Sequence, residues 1–159
     1  MNISYTNLFI EASKEVFKEL GFTDLSFTSF KGDGYPSEIV ANVGVTGDLQ
    51  GYLMFYADIE SAKKLVLCIL DNMSMSSEEK GFSRFHKETI GEVVNQVSGR
   101  TVMFLSNENL DCSITPPTII TGDNITYDIR NLEETAWHKV TGVFGELVIF
   151  VGIKKTVKA

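Results

Sequence analysis

The chain lacks the marks of a membrane protein or a disulfide-stabilised protein. No uninterrupted apolar run approaches the length of a membrane-spanning helix, about 18 residues, and no basic segment precedes an apolar one near Met1. It has two cysteines, Cys68 in an apolar helical run and Cys112 in a polar segment that we expect to be a loop. These patterns predict free thiols, no membrane insertion and a cytoplasmic location.

Basic residues are also few. Lys and Arg together number 14 against 21 Asp and Glu, which gives a formal net charge of -7. Nucleic-acid binding draws most of its affinity from clustered Lys and Arg, so this balance argues against a nucleic-acid partner. It is compatible with a protein partner, which the charge alone does not name.

Several catalytic signatures are missing as well. The chain has no glycine-rich phosphate loop and no Ser/His/Asp constellation. Its two histidines, His86 and His138, lack zinc-ligand spacing relative to Cys68 and Cys112, so we expect no metal site. We expect His86 to pack near the start of a helix, His138 to lie on a strand, and Trp137 to be a core or interface residue.

The chain does contain enough apolar sequence for one globular domain over residues 1–159, since 43% of it is hydrophobic and 22% is charged. Apolar periodicity predicts three helices, over residues 4–20, 59–70 and 83–105. Alternating patterns predict strands at 25–30, 39–45, 49–56, 135–144 and 146–153, and the Pro116-Pro117 pair predicts an extended edge leading into another strand. Together these elements predict an α+β fold, with a largely antiparallel β-sheet covered by long α-helices.

Two local features predict where helices begin. Asp58 is a candidate N-cap for the second helix, and Ser76 with Glu79 fits a capping box before the third. The segment 124–134 carries no pattern that assigns it to a helix or a strand.

The chain also shows weak internal similarity. Val45-Thr46-Gly47 followed by Phe55 recurs, at the same spacing, as Val140-Thr141-Gly142 followed by Phe150. Hairpins reuse glycine and β-branched residues for local reasons, so coincidence is an alternative explanation. A helix followed by strands is nevertheless predicted in both halves of the chain, and this repeated order indicates an internal duplication.

The third predicted helix has two different faces. At about 100° per residue, four apolar side chains share one face: Ile90, Val93, Val94 and Val97. A polar stripe lies within roughly 60° on the opposite face and contains Glu88, Glu92, Asn95 and Gly99. Glu92 and Asn95 are three residues apart, so their side chains can project outward together. We interpret the polar stripe as a docking surface that carries the candidate site.

Gly99 supports this interpretation. Glycine inside a helix costs about 0.5–1 kcal/mol relative to alanine, so its presence indicates a place where another backbone approaches closely. Two simpler interpretations are open: the stripe is ordinary solvated surface, and Gly99 ends the helix as a left-handed cap. The first predicted helix carries Glu15 and Lys18 where the third carries Glu92 and Asn95, so we expect one site per chain.

In this order and context, the residues resemble the CheX members of the CheC/CheX/FliY chemotaxis phosphatases. The resemblance covers nearly the whole chain, and its main motifs are the 45–51 hairpin, the Glu92-x-x-Asn95-x-x-x-Gly99 helix and the Pro116-Pro117 segment. Glu88 stands where CheC-type relatives usually carry Asp or Ser. The resemblance implies a CheC-like fold with an internal duplication, and a homodimer.

The resemblance also implies a function, hydrolysis of the aspartyl phosphate on a CheY-like response regulator. Asn95 would hold the attacking water in line, and Glu92 would pair with the regulator's active-site lysine. Glu88, Gln96 and Gly99 would contact the partner. The chain would need no cofactor of its own, because the Mg²⁺ of the reaction belongs to the regulator.

Physical chemistry favours this role over a self-contained hydrolase. A Glu and an Asn on an exposed helix lack a nucleophile, a metal cage and a pocket, so they can complete another protein's site but not form one. The rival hypothesis is a noncatalytic module that binds or scaffolds response regulators of a two-component system.

Overall fold

In the residues that the structure describes, the protein has one antiparallel sheet and three helices, as the sequence predicts. The structure, a computed structural model, describes residues 4–32, 35–75, 81–125 and 131–157. The helices are α1 (Tyr5–Glu19), α2 (Ile59–Asn72) and α3 (Arg84–Asn107). The strands are β1 (Ser26–Phe30), β2 (Ser37–Gly47), β3 (Leu49–Ala57), β4 (Cys112–Ile114), β5 (Thr118–Ile125), β6 (Glu134–Gly142) and β7 (Gly145–Lys155). The predicted α+β fold is confirmed.

The strand order supports an internal duplication. The sheet has the order β1-β6-β7-β3-β2, and β4 and β5 pair with β2 at its outer edge. Every pairing is antiparallel, with the two hairpins joined through β3 and β7 at the centre. The first strands of each half pair with the hairpin of the other half: β1 pairs with the β6–β7 hairpin, and β4 and β5 pair with the β2–β3 hairpin. The order is therefore the same from both ends when the halves are exchanged.

The repeated sequence fits this topology only in part. The two Val-Thr-Gly triplets end β2 and β6, and Val45 and Val140 both lie in the main core. Val45 pairs with Gly51 but Val140 pairs with Leu147, so the second hairpin has one more residue between the paired positions. Because side chains alternate along a strand, that residue places Phe55 and Phe150 on opposite faces of the sheet.

The main hydrophobic core lies between the sheet and the three helices. Helix α1 contributes Phe9, Val16 and Phe17, and α2 buries the four apolar residues that its periodicity predicts, Leu65, Val66, Ile69 and Leu70. Helix α3 buries Ile90, Val93, Val94 and Val97, so the predicted apolar face is confirmed. Helix α1 packs against α3 on this face, which holds α3 in place along the sheet.

The opposite face of the sheet carries a second, smaller cluster. Its buried members are Val40, Met54, Tyr56, Trp137, Val148 and Phe150, with Phe30, Tyr35 and Leu132 packed against them. The Trp137 and Phe150 rings are 4.5 Å apart between centroids. Among the described residues no helical side chain joins this cluster, so the helices cover one face of the sheet and strand and loop residues cover the other.

Some local predictions are confirmed and others are wrong. Asp58 caps α2, because its Oδ1 accepts a 2.6 Å hydrogen bond from the Ser61 N–H. Cys112 does not lie in a polar loop: it begins β4, pairs with Gly47 and is buried in the main core. Pairing between strands distant in sequence, which local polarity does not encode, places it there. The proposed Ser76 and Glu79 capping box lies outside the described residues.

Both cysteines are free thiols in the structure, as predicted. The described helices include none long and apolar enough to cross a membrane. His86 is buried at the start of α3, where its Nδ1 accepts a 3.1 Å hydrogen bond from the Ser83 N–H, and His138 lies on β6. These placements of the two histidines match the prediction.

Helix α1 is capped by a carboxylate from the other half of the chain. Glu134 Oε1 accepts hydrogen bonds from the Thr6 N–H (3.0 Å), the Thr6 hydroxyl (2.8 Å) and the Ser4 hydroxyl (2.8 Å). Burial raises the pKa of Glu134, but the hydrogen bonds from Thr6 and Ser4 outweigh it and hold the pKa below its ordinary value. The carboxylate therefore ties the first turn of α1 to β6.

Replacing Glu134 with Gln should lower the free energy of unfolding by about 1 kcal/mol at pH 7, because the first turn of α1 loses a charged acceptor. The folded-state pKa is lowered, so this stabilisation is present above the ordinary pKa of 4.5 and is lost as the pH falls through the folded value. The free energies of unfolding of wild type and variant, measured by urea unfolding, should therefore become equal as the pH is lowered from 4.5.

The exposed Glu11 on the same helix is the matched control. It pairs only with the exposed Lys14 at 3.4 Å, so Glu11→Gln should change stability by less than about 0.5 kcal/mol. A Glu134→Gln effect that does not depend on pH would contradict the capping role.

Candidate functional site

Helix α3 presents the polar stripe to the outside. Its apolar face is buried against the sheet, so the residues on its opposite side must face outward. Glu88, Glu92 and Gln96 are exposed, and Asn95 and Gly99 are partly buried. All five residues that the sequence analysis selected therefore lie on one accessible side of a 24-residue helix, roughly 36 Å long.

Glu92 and Asn95 form the central pair of the polar stripe. One of these two side chains has a hydrogen bond within the described residues, and the other has none. Gln96 Nε2 donates a 3.4 Å hydrogen bond to Glu92 Oε1, and the other carboxylate oxygen has no hydrogen-bond partner among the residues that the structure describes. The Asn95 amide has no hydrogen-bond partner among the described residues, so its donor and acceptor groups are not engaged by this part of the chain. Farther along, Arg84 Nε donates to Glu88 Oε1 at 2.8 Å in an exposed ion pair.

The inner side of α3 satisfies its own polar groups. The buried Ser98 and Thr101 hydroxyls donate to the backbone carbonyls of Val94 and Val97, at 2.7 and 2.8 Å. These bonds let small polar side chains sit in the helix packing layer without an unpaired group. These two polar groups on the buried side of α3 are therefore satisfied within the helix itself.

Helix α1 carries no equivalent open site. Glu15, the counterpart of Glu92 in the first half of the chain, lies 3.6 Å from Arg100 Nη1 in an ion pair between α1 and α3. Arg100 also donates a 2.9 Å hydrogen bond to Glu19. That hydrogen bond lowers the pKa of Glu19 and raises the pKa of Arg100. The first-half carboxylate is thus used inside the chain, while Glu92 faces outward.

The proline segment packs beside the site. A Cβ atom at Gly91 would lie 3.6 Å from Pro117 Cγ and 3.8 Å from Ile119 Cδ1. Residue 91 is buried and immediately precedes Glu92, so the Pro117 ring supports α3 at the start of the central pair. The sequence analysis predicts an extended edge here but misses this contact, because neither Gly91 nor the proline indicates its packing partner.

Gly99 does not end the helix. It lies inside α3, which continues to Asn107, so the interpretation of Gly99 as a C-cap is wrong. A Cβ atom placed there would meet nothing within 4 Å. Nothing in the described chain requires glycine at this position. The backbone of the polar stripe is therefore not covered by a side chain at Gly99.

The arrangement can position a water molecule or a cation, but it is not a metal cage. Within the described ranges, no three side chains of the His, Cys, Asp or Glu type gather as they would around a metal ion. The candidate site therefore consists of one carboxylate and one amide, Glu92 and Asn95, on a helix that is supported from behind.

Solved structures define the class of fold. A CheC-like superfamily protein from Shewanella sp. PV-4 has a TM-score of 0.78 and 18% identity, over 97% of this chain and 99% of that one. A CheX from Borrelia burgdorferi, solved as a CheX-CheY-BeF3-Mg²⁺ complex, has a TM-score of 0.72 and 22% identity, over 97% of this chain and 100% of that one. The predicted CheC-like fold is confirmed.

Sequence comparison then gives the family. The model of the chemotaxis phosphatase CheX matches residues 39–140, so the chain belongs to the CheX family. The CheY-P phosphatase CheX of Thermotoga maritima is 29% identical over 90 residues, which are 57% of this chain and 56% of that protein. The match therefore spans about half the length of this relative.

Replacing Gly99 with Ala should raise the free energy of unfolding by about 0.5–1 kcal/mol, because alanine favours the helix and its methyl group meets open space. Thermal or urea unfolding measures the change. Gly47→Ala is the contrasting control: Gly47 has φ +106 and its Cβ would clash with the Asp111 carbonyl, so that variant should be less stable. A destabilised Gly99→Ala would show that the helix needs glycine there.

Proposed function

We propose that this protein is a phosphatase that hydrolyses the aspartyl phosphate of a CheY-like response regulator and so ends its signal. The observation that carries the proposal is the pair on the outward side of α3, an exposed Glu92 and a partly buried Asn95 whose amide has no partner among the described residues. Family membership and the CheX-CheY complex of the Borrelia relative support it.

An inserted amide is sufficient for this reaction. The acyl phosphate bond is already reactive, and its transition state is loose, so catalysis requires mainly positioning and charge stabilisation. Asn95 can donate one hydrogen bond and accept another, which is what holding a water molecule in line with the phosphorus requires. The Mg²⁺ of the reaction resides in the regulator and stabilises charge there, so this chain supplies no metal ligand.

Glu92 fixes the docking register in this proposal. Its Oε1 is held by Gln96, and its other oxygen is available to pair with the active-site lysine of the regulator. Glu88 and Gly99 flank the pair on the same side of α3, and with Gln96 they form the surface that meets the partner. Because Pro117 supports the helix beside Glu92, α3 can enter the partner's site without bending.

The proposal extends to assembly and location. We take residues 1–159 to act as one CheX-like unit in the cytoplasm, where response regulators work, and as a homodimer like other CheX-type proteins. Sedimentation equilibrium tests the assembly, and a mass equal to one 17.7 kDa chain at all concentrations would exclude the dimer.

Asn95→Ala should reduce the rate of receiver dephosphorylation by about a hundredfold or more while the Kd for the receiver changes less than about threefold, since the amide acts on the water and not on docking. Glu92→Ala should weaken both binding and rate. The measurements are phosphate release from a phosphorylated CheY-like receiver of the same genome and binding of the same receiver.

Lys18→Ala is the matched control. Lys18 is exposed and occupies the position in α1 that corresponds to Asn95 in α3, so its loss should leave both rate and binding unchanged. Full activity of Asn95→Ala would refute water positioning by this amide. Wild-type protein that binds a phosphorylated receiver without accelerating its dephosphorylation would favour the noncatalytic module.

A further inference from the structure

The outward side of α3 continues beyond Gly99 to an apolar side chain. Met103 is 63% exposed, although it lies in the interior of the helix. It follows Glu92 by eleven positions, which at about 100° per residue places it within roughly 20° of Glu92 around the helix axis. Along the axis it lies roughly 16 Å from Glu92. Met103 is therefore on the same line as the central pair, one turn past Gly99.

The charge on this side changes along the helix. Glu88 and Glu92 give the first half of the stripe a negative charge. From Val97 to Asn107 the only charged residue is Arg100, and Glu15 and Glu19 of α1 hold its guanidinium in ion pairs. The far half of the outward side therefore carries no free charge: it contains the backbone at Gly99, the exposed side chain of Met103 and the exposed hydroxyl of Ser106.

A single exposed methionine is ordinary on a protein surface. Met73 and Met75, near the end of α2, are exposed to similar extents, 56% and 54%. Met103 differs from them in position. It projects from the same side of α3 as Glu92, and the residue one turn before it on that side is Gly99, which has no side chain. A partner docked on the pair can approach the backbone at Gly99 and then meets Met103.

We propose that Met103 is a specificity-determining contact, which packs on an apolar patch of the same receiver that the Glu92 and Asn95 pair enters. This inference rests on the proposed function, and it adds a second contact by which the protein recognises the receiver. A compact domain of about 100 residues has a radius of gyration of about 13 Å, so one receiver spans from the pair to Met103. The flexible thioether side chain of methionine adapts to irregular apolar surfaces, which suits a contact that selects among similar receivers.

The contact is remote from the reacting phosphate, so it acts equally on the ground state and the transition state. Met103→Gln keeps the length of the side chain but places an amide in the apolar contact. We expect it to raise the KM for the phosphorylated receiver about tenfold and to leave kcat within about twofold of wild type. This split distinguishes Met103 from Asn95, whose loss lowers kcat.

The test uses the full chain and an acetyl-phosphate-loaded, Mg²⁺-bound CheY-like receiver from the same genome. Met103→Leu should restore a KM near that of wild type, because it returns an apolar side chain, and Met73→Gln should leave KM unchanged. Thermal unfolding of each variant shows whether the fold is retained. An unchanged KM in Met103→Gln would overturn the proposal, and so would an equal rise in Met73→Gln.

The outcomes for the two proposals are separable. If Asn95→Ala abolishes activity while Met103→Gln has no effect on KM, the phosphatase stands and the second contact fails. If wild type binds the receiver without hydrolysing its phosphate, the Kd values of Met103→Gln, Met103→Leu and Met73→Gln decide the contact by the same pattern. A wild type that neither binds nor hydrolyses would overturn both.

Discussion

The packing of one side of α3 against the sheet determines the rest of the site. Val94 and Val97 are fully buried, and the inner hydroxyls of Ser98 and Thr101 bond back to their own helix. Because the side chains leave a helix at fixed angles around its axis, fixing the inner side of α3 also fixes the direction in which each outer Cα–Cβ bond points. Glu92 and Asn95 are thereby aimed outward without a pocket or a loop to hold them.

The two halves of the sheet share one architecture but differ at the position of the candidate site. Strands β3 and β7 meet at the centre, and each half completes the other half's hairpin. The helices, however, have diverged: Glu15 of α1 forms an ion pair with Arg100 of α3, whereas Glu92 has its neighbour Gln96 as its one hydrogen-bond partner within the described ranges. The carboxylate of Glu15 in the first half of the chain is therefore used in an ion pair between the helices, and the corresponding carboxylate of Glu92 in the second half is not.

Local periodicity explains what the sequence could predict. The three helices, the two hairpins and the outward direction of the polar stripe follow from periods of 3.6 and 2 residues, which need no knowledge of distant contacts. Cys112 and Phe150 show where this reasoning stops. Cys112 is buried because β4 pairs with β2, and Phe150 faces away from the helices because one extra residue lies between the paired positions of its hairpin.

The contacts around the site were equally hidden from local patterns. The cap that Glu134 provides for α1 joins residues at opposite ends of the chain, and Pro117 packs beside Gly91 across the α3 to β5 connection. Neither pair has a characteristic spacing, since both depend on how the sheet closes. Sequence reasoning could therefore select the residues that project outward but not those that support them from behind.

The exchange of edge strands has a consequence for how the protein is made. Strand β3 pairs with β7, the last of the described strands in chain order, and the hairpin that β7 forms with β6 is also the one that β1 joins. A nascent polypeptide on the ribosome cannot close the sheet until β7 has emerged from the exit tunnel. Its early half then exposes unpaired edges and apolar surface throughout translation, which is the stage at which chaperones would bind it.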